Sequence, residues 1–106
     1  MTYAVRLSGQ AEKDLNDIFD YVAVDLQNPI AAEGLLSRLE KSILNLDQMP
    51  LRCRLYNKEP WKSRGLRVLS VENYLVYYVP DQDAATVTVI RVLYGGRDID
   101  KVLNDT

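Results

Sequence analysis

Histidine is absent from this 106-residue chain. This absence excludes catalytic triads built on His, His-ligated metal sites and proton transfer by imidazole. Cys53 is the only cysteine, so neither an internal disulfide nor a cysteine-based metal cluster can form. We therefore expect no metal and no cofactor, and any chemistry has to rest on the remaining polar residue types.

Long apolar runs are also lacking. No stretch has the length of a membrane span, and the first residues, MTYAVRLSGQAEKDL, lack the basic start and apolar centre of a signal peptide. A cytoplasmic protein without a membrane partner is expected. The apolar fraction of 47% and charged fraction of 26% are typical of a globular protein, and the length predicts one domain over residues 1–106.

Positive charge is concentrated in one stretch of a chain whose formal net charge is −2. Residues 52–67, here called the cationic segment, contain one acid, Glu59. Their basic residues are Arg52, Arg54, Lys58, Lys62, Arg64 and Arg67. The segment is interpreted as a solvated loop, a phosphate-binding surface, or a docking surface for an acidic protein segment. The acidity of the rest of the chain disfavours binding to polyanions.

The first half of the chain predicts a strand and two helices. Tyr3, Val5 and Leu7 alternate with other residues, as in a short strand. After Ser8, a candidate N-cap, a helical stripe runs through Ala11, Leu15, Ile18, Phe19, Val22 and Leu26. Asn28-Pro29 begins a second helix. Its apolar stripe contains Ala32, Leu35, Leu36, Leu39, Ile43 and Leu46.

The second half predicts strands. Residues 51–64 have no sustained period and are predicted to be a loop. Leu66–Val71 and Tyr74–Val79 flank a Glu72-Asn73 turn and indicate a β-hairpin, and Thr86–Tyr94 is a long β-branched run. The end of the chain, from residue 97 to residue 103, adds a short helix.

The element order β-α-α-β-β-β(-α) predicts an α+β fold, with a helical hairpin packed on one face of a small, mostly antiparallel sheet. A two-residue hairpin turn places Val71 opposite Tyr74, and Arg67 opposite Tyr78. Both faces of this hairpin are rich in apolar residues. We expect a partner protein to cover the face that the helices do not reach; the alternative is that the C-terminal segment folds back over it.

Two other features are interpreted without a catalytic role. Asp14, Asp17 and Asp20 lie off the apolar stripe of the first helix and are expected to form a solvated face. The GGRD sequence at residues 95–98 lacks the spaced glycines and lysine of a phosphate-binding loop, so it is expected to be a tight strand exit.

Four stretches carry a resemblance to a known family. They are AEKDLNDIFDYV, PIAAEGLL, GLRVLSVENYLVYYV and VTVIRVLYGGRDIDKVL. In this order they resemble toxins of the RelE/ParE superfamily of bacterial type II toxin–antitoxin modules, over nearly the whole chain. The resemblance implies a small growth-inhibiting toxin that is neutralised by a cognate antitoxin, whose acidic stretch would meet the cationic segment.

The superfamily contains ribosome-dependent mRNA endonucleases of RelE type, which need no metal. By resemblance, Arg67 and Arg97 match basic positions that hold the phosphate. A second basic position falls on Tyr74, and the C-terminal tyrosine position falls at or near Leu103. Tyr78 or Tyr94 would then have to move the proton.

The superfamily also contains DNA gyrase poisons of ParE type, which need a binding surface and no catalytic groups. The incomplete RelE set and the acidic composition favour this second type. The antitoxin is expected to contact a surface that shares the hairpin and its basic border. Its residues are Arg64, Arg67, Leu69, Tyr74, Val76, Tyr78 and Arg91.

Overall fold

The computed structural model describes residues 2–96 and 98–106. Its strands are β1 (Ala4–Leu7), β2 (Arg54–Leu55), β3 (Arg67–Val71), β4 (Tyr74–Asp81) and β5 (Thr86–Tyr94). They form one mixed sheet in the order β1-β5-β4-β3-β2, with β1 parallel to β5 and the other pairs antiparallel. The α+β fold class is confirmed, and the short edge strand β2 is an addition within the predicted loop.

The β3–β4 hairpin has the predicted register. Val71 faces Tyr74 across the Glu72-Asn73 turn, and the pairing continues without a shift to Arg67 opposite Tyr78. Glu72 adopts a left-handed backbone with φ of 55°, as tight hairpin turns require. Alternate residues of the hairpin therefore point to opposite faces, as the sequence indicated.

The two long helices begin where the sequence predicts, and the short C-terminal helix is observed from Ile99. They are α1 (Gly9–Asp20), which continues as a π-helical turn (Tyr21–Asp25), α2 (Pro29–Leu44) and the short α3 (Ile99–Asn104). The Ser8 hydroxyl accepts from the Ala11 N–H at 3.0 Å, and the Asn28 amide oxygen accepts from the Ala31 N–H at 3.2 Å. The first helix differs from prediction because its last turn is π-helical. None of the described helices is long and apolar enough to cross a membrane.

Helices α1 and α2 cover one face of the sheet. Leu15 of α1 and Leu39 of α2 are buried in this core. The sheet contributes Val71, Val76, Tyr78, Val87, Val89 and Val92. Val76 and Tyr78 of β4, and Val87 and Val89 of β5, lie two residues apart, so the pleat directs them to one side, and the register shift at Tyr77/Tyr78 brings Val92 to the same side.

The second face of the sheet is covered by the chain itself. Tyr56, Trp61 and Leu66 pack onto Tyr77, and α3 adds Leu103. The expectation that a partner protein covers this face is therefore wrong, and the alternative fold-back of the C-terminal segment is what the structure shows. The predicted loop over residues 51–64 thus contributes Tyr56 and Trp61 to the cover of the second face.

Candidate functional site

The cationic segment is held against the sheet by its apolar side chains. The Tyr56 N–H donates to the Leu66 carbonyl at 2.8 Å and closes the segment on itself. Trp61, between them, is buried in the second core. The basic residues between these anchors, Lys58, Lys62 and Arg64, remain exposed at the surface.

Arg67 and Tyr78 hold the chain that precedes β2. The Arg67 guanidinium donates to the carbonyls of Leu51 and Cys53 at 3.1 and 2.7 Å. The Tyr78 hydroxyl donates to the Pro50 carbonyl at 2.6 Å, and burial raises the pKa of this phenol above its ordinary value. Both candidate catalytic side chains are thus bound to the backbone of the short 3-10 turn Pro50–Arg52 and of Cys53, which follows it.

The positive charge of the segment is largely uncompensated. Arg52 donates to the Gln48 carbonyl at 2.6 Å, and the Arg64 guanidinium stacks over Trp61 at 4.9 Å from the ring centre. Among the described residues, Lys58 is the one base of the segment that pairs with a carboxylate, that of Asp100. A hydrogen bond to a carbonyl does not cancel a guanidinium charge, so the surface remains cationic.

Arg91 is bound inside the protein. Its guanidinium donates through two nitrogens to both carboxylate oxygens of Asp14, at 2.7 and 2.9 Å, and the Val92 N–H donates to the same carboxylate at 2.9 Å. Both side chains of this pair are nearly buried. The expectation that Asp14 lies on a solvated face is wrong, because this carboxylate joins α1 to β5.

The remaining candidates are distributed over two regions. Leu69 is half-buried against the helix-covered core, and Val76 and Tyr78 are 0% exposed and lie within that core. Tyr74 stacks edge-on against Tyr94 with ring centres 5.7 Å apart. Arg97 lies outside the described residues.

The predicted site residues are therefore not gathered in one place. Arg64 and Arg67 belong to the cationic segment, Tyr74 and Tyr94 lie at the far end of the hairpin, and Arg91 is internal. Leu103, at or near which the resemblance places the C-terminal tyrosine position, is buried in the second core. Within residues 2–96 and 98–106, no group of three or more carboxylate or thiol side chains is placed to hold a metal ion.

One polar cluster was missed by the sequence analysis. Asp100 of α3 accepts hydrogen bonds from Lys58 and from the Tyr56 hydroxyl, and thereby ties α3 to the cationic segment. Lys58 and then Tyr56 hold the pKa of Asp100 below its ordinary value. Nothing in the sequence indicates this contact, because its members lie 44 and 42 residues apart.

Acid is expected to loosen this cluster. Because the pKa of Asp100 is lower in the folded state, its contribution to stability is present above the unfolded pKa of about 3.9 and is lost as pH falls through the folded value. The Asp100→Asn variant should therefore unfold at lower temperature than the parent at pH 7 and lose this difference on acidification. Thermal melts at pH 7 and at acid pH check this, with Asp83→Asn, a change at an exposed residue, as the control. A difference in melting temperature that stays constant as the pH falls would contradict the prediction.

Comparisons with known proteins agree with this architecture. Residues 5–99 match the family model described as the ParE toxin of the type II toxin–antitoxin system, parDE. No curated protein sequence gives a significant match.

Solved structures share the fold. The chromosomal ParDE toxin–antitoxin system of P. aeruginosa is 19% identical with a TM-score of 0.71, covering 88% of this chain and 96% of that one. The RelBE2 toxin–antitoxin complex of Mycobacterium tuberculosis is 22% identical with a TM-score of 0.67, covering 89% and 99%. An arginine double mutant of free E. coli RelE is 14% identical with a TM-score of 0.67, covering 98% and 93%.

The match to the family model spans most of the chain, and the resemblance predicted from the sequence is confirmed. The chain belongs to the ParE toxin family within the RelE/ParE superfamily, and it is a toxin of a type II toxin–antitoxin system.

Proposed function

We propose that this toxin inhibits growth by binding a protein target, DNA gyrase, and not by cleaving mRNA. The observation that carries the proposal is the engagement of Arg67 and Tyr78 in the fold. RNA cleavage by the 2′-hydroxyl needs cations at the phosphate and an accessible group that moves a proton. A buried phenol that already donates to a carbonyl is unsuited to that second task.

Tyr94 is the exposed alternative, but it is far from Arg67. In the sheet register, Tyr94 faces Tyr74, which faces Val71, whereas Arg67 lies at the opposite end of β3. Four residues of strand separate these ends by roughly 13 Å. One phosphate group cannot contact both side chains across that distance, so this pair does not support RelE-type cleavage.

Protein binding needs only an exposed surface with apolar side chains that a partner can bury. The cationic segment and the residues just before it form such a surface. Leu51 and Leu55 are exposed beside the uncompensated arginines, and Met49 is 74% exposed. Arginine with apolar neighbours is a common composition at the centre of protein interfaces. The same surface suits an acidic segment of the cognate antitoxin. While the antitoxin is bound there, the target would be excluded from this surface.

Purified components distinguish the two toxin types. Incubated with gyrase, plasmid and ATP, the toxin is expected to accumulate cleaved DNA, while ribosome-bound mRNA stays intact. The Tyr94→Phe variant removes the exposed phenolic hydroxyl and should retain full toxicity in induced cells. Cleaved mRNA without gyrase-dependent DNA breaks, or loss of toxicity in Tyr94→Phe, would overturn the proposal in favour of an endoribonuclease.

Charge reversal in the cationic segment is expected to weaken antitoxin binding. The double variant Lys62→Glu/Arg64→Glu should slow association by about tenfold or more at low salt, because electrostatic steering acts mainly on the association rate. Surface plasmon resonance at several salt concentrations measures this. A double variant with Arg6→Glu and Lys41→Glu, at two exposed residues outside the segment, makes the same change in net charge, and equal effects of both variants would contradict a local role of the segment.

A further inference from the structure

Three tyrosines line a groove between α1 and the far ends of β4 and β5. The groove has a volume of about 540 Å³ and shares no lining residue with the cationic segment. Tyr21 comes from the π-helical turn, Tyr74 from the start of β4 and Tyr94 from the end of β5. Tyr21 and Tyr94 are 53% and 52% exposed, so a ligand can reach their rings. Aromatic side chains from three separate elements therefore surround one open cavity.

The ring geometry suits a positively charged ligand group. Tyr74 and Tyr94 contact edge-on, with ring centres 5.7 Å apart and planes inclined at 68°. Gly96 backs Tyr94, because a Cβ there would lie 3.1 Å from the ring. A cation is attracted to the face of an aromatic ring within about 6 Å of its centre. Two rings at a steep angle, with a third on the helix side, form the kind of aromatic cage that binds ammonium groups.

The electrostatics of the groove also favour a cation. Burial, and then the neighbouring Tyr94, Tyr21 and Glu72, raise the pKa of the Tyr74 phenol. The negative potential that opposes a phenolate stabilises a positive charge at the same place. No lysine or arginine is among the described residues that line the groove. Within this lining, a positive charge would therefore have to come from a ligand.

The carboxylate of Asp17 supplies a formal negative charge to the groove. Asp14 also lines it, but the guanidinium of Arg91 neutralises that carboxylate. Asp17 accepts from the ammonium of Lys13 at 2.7 Å, so an alkylammonium fits at this carboxylate. Both side chains of the pair are exposed, and such a pair contributes little to stability. An ammonium group of a ligand can therefore replace Lys13 at small cost.

An apolar strip continues along the helix-side wall. Ile18, Val22 and Leu26, which all line the groove, follow one another at intervals of four residues. From Asp17 to Leu26 the wall extends roughly 13 Å, at a rise of about 1.5 Å per residue. A chain of methylenes packs against such a strip, whereas a compact inorganic cation would leave it uncovered. The groove therefore matches a ligand whose ammonium groups are joined by short aliphatic chains.

We propose that this groove binds a linear aliphatic polyamine, with ammonium groups at the tyrosine rings and at Asp17 and methylenes along the apolar strip. The site goes beyond the proposed function, because it is separate from the cationic segment and takes a small molecule, whichever target the toxin has. A ligand that binds only the folded chain also stabilises it, so the melting temperature gives a second readout of occupancy.

Isothermal titration calorimetry with spermidine as the probe tests the proposal. Spermidine is expected to saturate one site and to bind at least about tenfold more tightly than hexaamminecobalt(III), which carries the same charge on a compact ion without methylenes. Spermidine should also raise the melting temperature more than the cobalt ion does. Equal binding of the two ions would show general attraction to an acidic protein and overturn the proposal. Tetramethylammonium binding as tightly as spermidine would also overturn it, by assigning the cage to a single cation.

Two matched pairs of variants locate the site. Tyr94→Leu removes the ring and should weaken spermidine binding about fivefold, whereas Tyr94→Phe keeps the ring face and should stay within about twofold of the parent. Asp17→Asn should weaken binding about fivefold and reduce its salt dependence, whereas Asp83→Asn, at an exposed residue outside the groove, should do neither. Circular dichroism checks that each variant is folded. Equal effects within either pair, or the absence of saturable spermidine binding, would overturn the proposal.

Discussion

The Asp14→Ala variant is expected to lower the free energy of unfolding by about 3–5 kcal/mol. The change leaves the guanidinium of Arg91 nearly buried without its carboxylate, and the Val92 N–H loses its acceptor. Removal of one partner of a buried ion pair is costly because the remaining charge has lost both water and its counter-ion. Urea denaturation followed by circular dichroism measures the loss.

A double variant tests whether the lost stability comes from the unpaired charge of Arg91. Asp14→Leu combined with Arg91→Met replaces the pair with apolar side chains, and it should recover most of the lost stability. Asp17→Asn, on the exposed face of the same helix, should change the free energy of unfolding by less than about 0.5 kcal/mol. A loss below about 1 kcal/mol in Asp14→Ala would contradict the role assigned to the pair.

Truncation of Trp61 is expected to have a comparable effect on the second core. Trp61→Ala removes a nearly buried indole from between the cationic segment and the sheet, at a cost of about 3–5 kcal/mol. Because this side chain anchors the segment, trypsin should cleave at Lys62 or Arg64 much faster in the variant than in the parent. Calorimetry and timed proteolysis under native conditions check the two effects.

Trp61→Phe provides the matched control. The indole N–H of Trp61 has no hydrogen-bond partner among the described residues, so a phenyl ring keeps the aromatic packing without breaking a polar contact. Its cost should be well below that of the alanine variant, and its proteolysis rate should stay near that of the parent. If Trp61→Ala leaves the proteolysis rate unchanged, then the segment is held by its other contacts, such as those of Arg67 and Tyr56.

The hairpin and the helix starts were predictable because their determinants are close in sequence. A two-residue turn fixed the pairing of Val71 with Tyr74, and Ser8 and Asn28 cap helices within three residues of themselves. The cover of the second sheet face was not predictable in the same way. Trp61 and Leu103 are apolar residues in segments without a clear period, and only the folded chain shows that they meet over Tyr77.

The candidate site likewise combines features that the sequence predicts with features that only the folded chain shows. The sequence singled out Arg67, Tyr78 and Arg91 by residue type and by family resemblance, but not what they bind. Two of them hold backbone carbonyls of residues 50–53, and the third pairs with a carboxylate 77 residues away. Exposure decides whether such a side chain meets a partner or supports the fold, and exposure depends on the whole tertiary arrangement.

By itself, the sequence determined the order of the elements apart from the edge strand β2, the register of the hairpin, the family and the local excess of positive charge. The tertiary structure alone decided that the second sheet face is closed and that Asp14 is internal. The physical reason is the distance along the sequence over which each kind of interaction acts. Periodicity, capping and turn geometry act between residues a few positions apart, whereas burial and ion pairing join residues that only the folded chain brings together.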